Sequence, residues 1–115
     1  MTKPIWKDRV DTALTRLAQD RWTAPAVRYL EIIDDVAEGK GSAADIARRA
    51  GSPDLVAGAL NRVTVALHGD AAAPRLAEGG WYEDDGERYR VAPDFAQEWI
   101  AARSAQRHLQ ALQAI

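Results

Sequence analysis

Twelve residues constrain this chain more than any others: Ser42 to Pro53, reading SAADIARRAGSP. A serine followed three residues later by an aspartate is a reciprocal N-cap, each side chain accepting the other residue's backbone N–H. Ile46, Ala47 and Ala50 then form a short apolar face. Gly51 supplies the left-handed residue that ends a helix without a Cβ penalty. Ser52 caps again, and Pro53 fits the first helical position, where its missing N–H costs nothing. Val56, Ala59, Leu60, Val63 and Leu67 follow at helical spacing. Two short capped helices meeting across a glycine form the helix-turn-helix pattern.

The flanks add further elements. A first helix is expected from near Pro4, with Trp6, Val10, Ala13, Leu14 and Leu17 on its apolar face. Asp20 to Trp22 break it. Thr23 then caps a second helix, with Pro25 in its first turn and Tyr29, Leu30, Ile33, Val36 and Ala37 facing inward. Gly39 and Gly41 end that helix. After the helix-turn-helix comes HGDAAAPRLAEGG, a small-residue connection in which Pro74 opens one helical turn. WYEDDGERYRV reads as two strands around Asp85-Gly86, a hairpin signal. A two-residue loop there sets Tyr82 opposite Tyr89, Glu83 opposite Arg88 and Trp81 opposite Arg90. The result is an aromatic pair on one face and an ion pair with a cation–π contact on the other. Pro93 and Asp94 open a last helix, in which Phe95, Trp99, Ala102, Ala105, Leu109 and Leu112 recur near a 3.5-residue period. The expected fold is mainly α with a small β-hairpin. It is one domain over residues 1–115, divided into an N-terminal helix (1–22), a core (23–93) and a C-terminal helix (94–115).

Composition removes several function classes. There is no cysteine, so a thiol nucleophile, a thiolate metal site and a disulfide framework are excluded. MTKPIWKDRV carries charges and no apolar signal core, and no apolar run approaches membrane-spanning length, so a cytoplasmic location and no membrane partner are expected. His68 and His108 are isolated, Asp34 and Asp35 point in different directions on a helix, and no glycine-rich phosphate loop occurs. No enzyme, metal or cofactor is expected. The net charge of −2 weighs against nucleic acid unless the cations are gathered on one face.

The stretch ADIARRAGSPDLVAGALNRV resembles the helix-turn-helix of bacterial winged-helix regulators in the broad sense that includes the MarR-like, IclR-like and ArsR-like groups. LAEGGWYEDDGERYRVAP resembles their wing. The likeness spans about Ala26 to Pro93, and the connection into the wing is longer than in those families. It implies a winged helix-turn-helix with flanking terminal helices. The helix from Pro53 to about Leu67 would lie in the major groove, and the wing against the backbone or minor groove.

On that resemblance the expected function is a homodimeric DNA-binding transcriptional regulator. Arg48, Arg49, Arg62, Arg88 and Arg90 would hold phosphates, with Ser52 at the cap of the groove helix and Asn61 as its best base reader. Ala57 and Gly58 read no base. Gly58 lets another backbone approach, at a cost of about 1 kcal/mol in helix stability. Trp6, Val10, Leu14, Leu17, Trp99, Ala102, Leu109 and Leu112 form the expected dimer interface, because their stripes exceed what a small domain needs internally. The alternative is a winged-helix protein-interaction module or adaptor that does not bind DNA. It is favoured by Glu83, Asp84, Asp85 and Glu87 around the wing tip, which repel phosphate and suit a basic protein partner. A ligand pocket lined by Trp6, Trp22 or Trp99 has no fingerprint for any ligand.

Overall fold

The computed structural model describes residues 6–19, 25–70 and 74–113. Five helices and one hairpin follow in order: α1 (Trp6–Gln19), α2 (Pro25–Glu38), α3 (Ala43–Ala50), α4 (Pro53–His68), a 3-10 turn (Leu76–Glu78), β1 (Tyr82–Asp84), β2 (Tyr89–Val91) and α5 (Pro93–Gln113). The helix start expected near Pro4, the break at Asp20 to Trp22 and the Thr23 cap lie outside the described residues. The 3-10 turn stands where Pro74 predicted one helical turn. The fold is therefore mainly α with a two-stranded antiparallel hairpin.

The core gathers one face from every helix. α1 lies against α4 and α5, and α2 against α3, α4 and α5. An aromatic cluster joins them: Phe95 lies 5.5 Å from Trp6, 5.0 Å from Trp81 and 5.8 Å from Trp99, between ring centroids. Trp81 is fully buried and donates its indole N–H to Thr64 Oγ1 at 2.9 Å, while the Thr64 hydroxyl donates to Leu60 O at 2.7 Å. This chain of two bonds fixes the hairpin to α4 and leaves no buried donor unmet there. The connection before Trp81 is folded back on itself. A Cβ on Gly80 would come 1.9 Å from the Pro74 carbonyl oxygen, so only glycine fits. One turn further on, at the C-terminal end of α4, His68 packs edge-on to Trp6 with its Nε2 buried and unpartnered among the described residues. Burial, then the nearby Arg9 cation, pushes its imidazole below the usual range and favours the neutral ring.

Two expectations are overturned. The hairpin pairs Tyr82 with Val91, Glu83 with Arg90 and Asp84 with Tyr89, two residues out of the expected register. The cause lies in the turn. Asp84 Oδ1 accepts the Gly86 N–H at 2.8 Å, and Asp85 Oδ1 accepts those of Glu87 and Arg88 at 2.9 and 2.7 Å. Two aspartates that bind their own backbone open a loop of four residues, Asp85 to Arg88, where the Asp-Gly pair alone suggested two. Tyr82 and Tyr89 still touch, 6.2 Å apart, as a diagonal pair. Trp81 faces the core rather than Arg90, which pairs with Asp85 at 3.5 Å.

The second correction concerns the expected dimer face. Trp6, Val10, Leu14, Leu17 and Trp99 are buried within the chain, and Ala102 is half-buried, because α1 and α5 cover each other. Leu109 and Leu112 alone of the eight remain exposed.

The Thr64–Trp81 bond yields a direct test. Thr64→Val keeps the volume but strands the buried indole N–H, which costs about 1–3 kcal/mol. Urea unfolding is expected to show a lower midpoint at unchanged slope.

Candidate nucleic-acid interface

The α3–α4 pair is built by its caps. Ser42 is extended, its Oγ accepts the Asp45 N–H at 3.2 Å, and Asp45 Oδ2 accepts the Ser42 N–H at 3.1 Å. Gly51 has φ of +101° and returns its N–H to Ala47 O at 3.0 Å. The last α3 carbonyl, Ala50 O, accepts the Arg28 guanidinium of α2, with Nε at 3.1 Å. Ser52 Oγ accepts the Asp54 N–H at 3.1 Å and so starts α4. The expected site residue Ser52 thus serves as a cap, half-buried at the joint.

From that joint α4 turns one face outward. Asp54, Ala57, Asn61 and Arg62 are exposed on it, and Val56, Ala59, Leu60 and Val63 are buried on the other. Gly58 serves the inside rather than an outside backbone: a Cβ there would stand 3.2 Å from Tyr29 Oη of α2.

The remaining cations are exposed but mostly partnered. Arg48 pairs with Asp45. Arg49 reaches Asp35 at 3.3 Å and donates to Lys40 O. Lys40 pairs with Glu38 at 2.9 Å, and that bond, then the Glu38 charge, holds its ammonium above the ordinary lysine range. Exposed pairs of this kind contribute little, because solvent screens them, so a phosphate can replace the carboxylate at small cost. Arg88 is exposed on the hairpin loop. That loop is tied back to the helix pair, since Ala43 donates its N–H to Glu87 O at 2.8 Å. Hairpin and α3 therefore form one continuous surface, with Arg88 beside the first turn of α3 and Arg48 and Arg49 in its last.

The acidic tip is largely structural. Asp84 and Asp85 hold the turn, and Glu83 Oε1 accepts the Leu76 N–H at 3.4 Å. Three of the four carboxylates at the tip are thus committed to the chain's own backbone.

Sequence reasoning missed a second polar site. Asp34 is buried on α2 and accepts Trp99 Nε1 at 2.8 Å, Arg103 Nε at 3.0 Å and the Arg107 guanidinium, all from α5. The signal in the sequence is the spacing of Trp99, Arg103 and Arg107, which puts three donors on one helical stripe. The groove between α1 and α5 is lined by Asp11, Leu14, Thr15, Ala102, Ala105, Gln106 and Leu109, and by neither Trp6 nor Trp99. Trp22 lies outside the described residues. Among those residues, no cluster of His, Asp and Glu suits a metal ion, and no helix is long and apolar enough to cross a membrane. No protein-family model, curated protein or solved structure matches this chain.

One helix-capping and one turn-building carboxylate, Asp45 and Asp85, predict a pH response. Hydrogen bonds from the Ser42 backbone and hydroxyl hold Asp45 below the ordinary carboxylate range, and those from the Arg88 and Glu87 backbones do the same for Asp85. A lowered folded pKa contributes stability that is complete above the unfolded value of about 3.9 and is lost as pH falls through the folded one. Asp45→Asn and Asp85→Asn are therefore expected to destabilise the protein fully at neutral pH. The gap to wild type should close in strong acid, as read by thermal melts across pH.

Proposed function

We propose that this chain is a DNA-binding transcriptional regulator of winged helix-turn-helix type, acting without catalysis, that presents the outward face of α4 to the major groove of duplex DNA. The observation that carries this reading is the exposed stripe Asp54, Ala57, Asn61 and Arg62, held outward by a capped joint while α1, α2 and α3 pack against α4. Asn61 has the paired donor and acceptor that match adenine. Arg48, Arg49, Arg62, Arg88 and Arg90 supply phosphate contacts, Arg48 and Arg49 from the helix that crosses the backbone and Arg88 and Arg90 from the hairpin bonded to it.

The alternative, a protein-interaction module that leaves DNA alone, draws support from one observation: Arg48, Arg49 and Arg90 already have carboxylate partners.

Titration of selected and random duplexes at two salt concentrations separates the two. The regulator reading expects steep salt dependence on both duplexes. Arg48→Ala with Arg49→Ala weakens both duplexes alike and flattens the salt slope by about one unit for each phosphate no longer held. Asn61→Ala costs about 1–3 kcal/mol on the selected site alone. Absence of binding at low salt transfers the assignment to the interaction module.

A further inference from the structure

One apolar side chain stands in water on the outward line of α4. Val65 is 41% exposed, while Val56, Leu60, Val63 and Leu67 of the same helix are buried. It lies one turn beyond Asn61, since residues four apart share a helix face. Its neighbour Thr64 is buried and accepts the Trp81 indole N–H at 2.9 Å, which fixes the rotation of α4 at this turn. Arg62 and Gly69, both exposed, flank Val65 on the surface. A Cβ at Gly69 would meet nothing within 4 Å, so the approach to Val65 along the face is open.

We infer that Val65 reads the 5-methyl group of a thymine, so that α4 selects sites in which an adenine and a thymine methyl lie close together in the major groove. The inference deepens the DNA-binding proposal and rests on it. Size and chemistry select the target. A single isopropyl group bounded by Asn61, Arg62 and Gly69 is too small an apolar area to hold a protein partner. A polar base edge pressed against it would lose its hydrogen bonds to water and gain none. The thymine methyl is the one apolar group that the bases present in the major groove. Spacing agrees. Four residues advance along α4 by about 6 Å, against about 3.4 Å for each stacked base pair. Where Asn61 meets an adenine, Val65 therefore reaches a thymine within about two base pairs of it.

Binding titrations of the full chain at fixed salt test it, on the duplex that wild type selects and on the same duplex with deoxyuridine in place of every thymidine. The exchange removes methyl groups and leaves charge, pairing and hydrogen-bonding edges as they were. Wild type is expected to bind the uracil duplex about fourfold more weakly, the effect of withdrawing one methyl-sized group from an apolar contact. The salt slope should not change, because no phosphate contact is lost. Val65→Ser should bind the two duplexes alike, with the circular dichroism and thermal melt of wild type, because the side chain is already in water. Ile100→Ser, which removes a comparably exposed apolar side chain from α5, should keep the wild-type preference. Salt-dependent binding that is equal on both duplexes overturns this inference and leaves the DNA-binding reading intact. A uracil penalty that survives in Val65→Ser does the same, since the methyl is then sensed elsewhere. Absence of binding to either duplex in low salt overturns both.

Discussion

One buried carboxylate organises the back of this molecule. Asp34 sits on α2 inside an apolar stripe and accepts hydrogen bonds from Trp99, Arg103 and Arg107, 65 to 73 residues further along the chain. Removing one partner of such a buried pair leaves an uncompensated charge, a loss of about 3–5 kcal/mol. The excess positive charge is tolerable because Arg107 is half in water while Arg103 is enclosed and hands a further N–H to Gln106. An apolar stripe alone lets a helix slide or rotate on its neighbours. Three donors converging on one carboxylate set the height and rotation of α5. With α5 so placed, Phe95, backed by Trp99, closes over Trp6 and Trp81, and the hairpin that begins at Trp81 acquires its position against α4.

The front of the molecule depends on short-range chemistry instead. Ser42, Asp45, Gly51 and Ser52 form the α3–α4 joint almost without help, and Arg28 finishes it by capping Ala50 O. Asp84 and Asp85 do the equivalent for the hairpin, and the bond from Ala43 to Glu87 joins the two units. Much of the acidity that looks like a binding surface in the sequence is therefore turn chemistry. Its charge still acts on any approaching phosphate, and the surrounding arginines offset it locally in a chain of net charge −2.

Legibility in the sequence follows the range of the interactions. The helix joint at Gly51, both serine caps and the turn after Pro74 are local and readable. The hairpin is readable as a hairpin, but its register is not. An Asp-Gly pair signals a two-residue loop, yet the carboxylates of Asp84 and Asp85 compete for the same amides. The amphipathic stripes of α1 and α5 are readable as stripes. Nothing local says whether the covering surface belongs to the same chain, so Trp6, Val10, Leu14, Leu17 and Trp99 read as an interface when they form the core. Gly58 likewise reads as room for a partner's backbone, although Tyr29, nearly thirty residues earlier, uses the space. Asp34 and Asp35 are readable as diverging neighbours. That one meets Trp99, Arg103 and Arg107 inside while the other meets Arg49 and Lys40 at the surface depends on the whole packing.

The central claim is that the outward face of α4 is a DNA-reading surface. Backbone amide chemical shifts, followed by NMR while duplex DNA is added in low salt, test it residue by residue. The largest changes are expected on Asp54, Ala57, Asn61 and Arg62, with smaller ones on Arg48, Arg49 and Arg88, and all of them should fade as salt is raised. Shifts confined to other surfaces, or a spectrum unmoved by excess duplex, would contradict it.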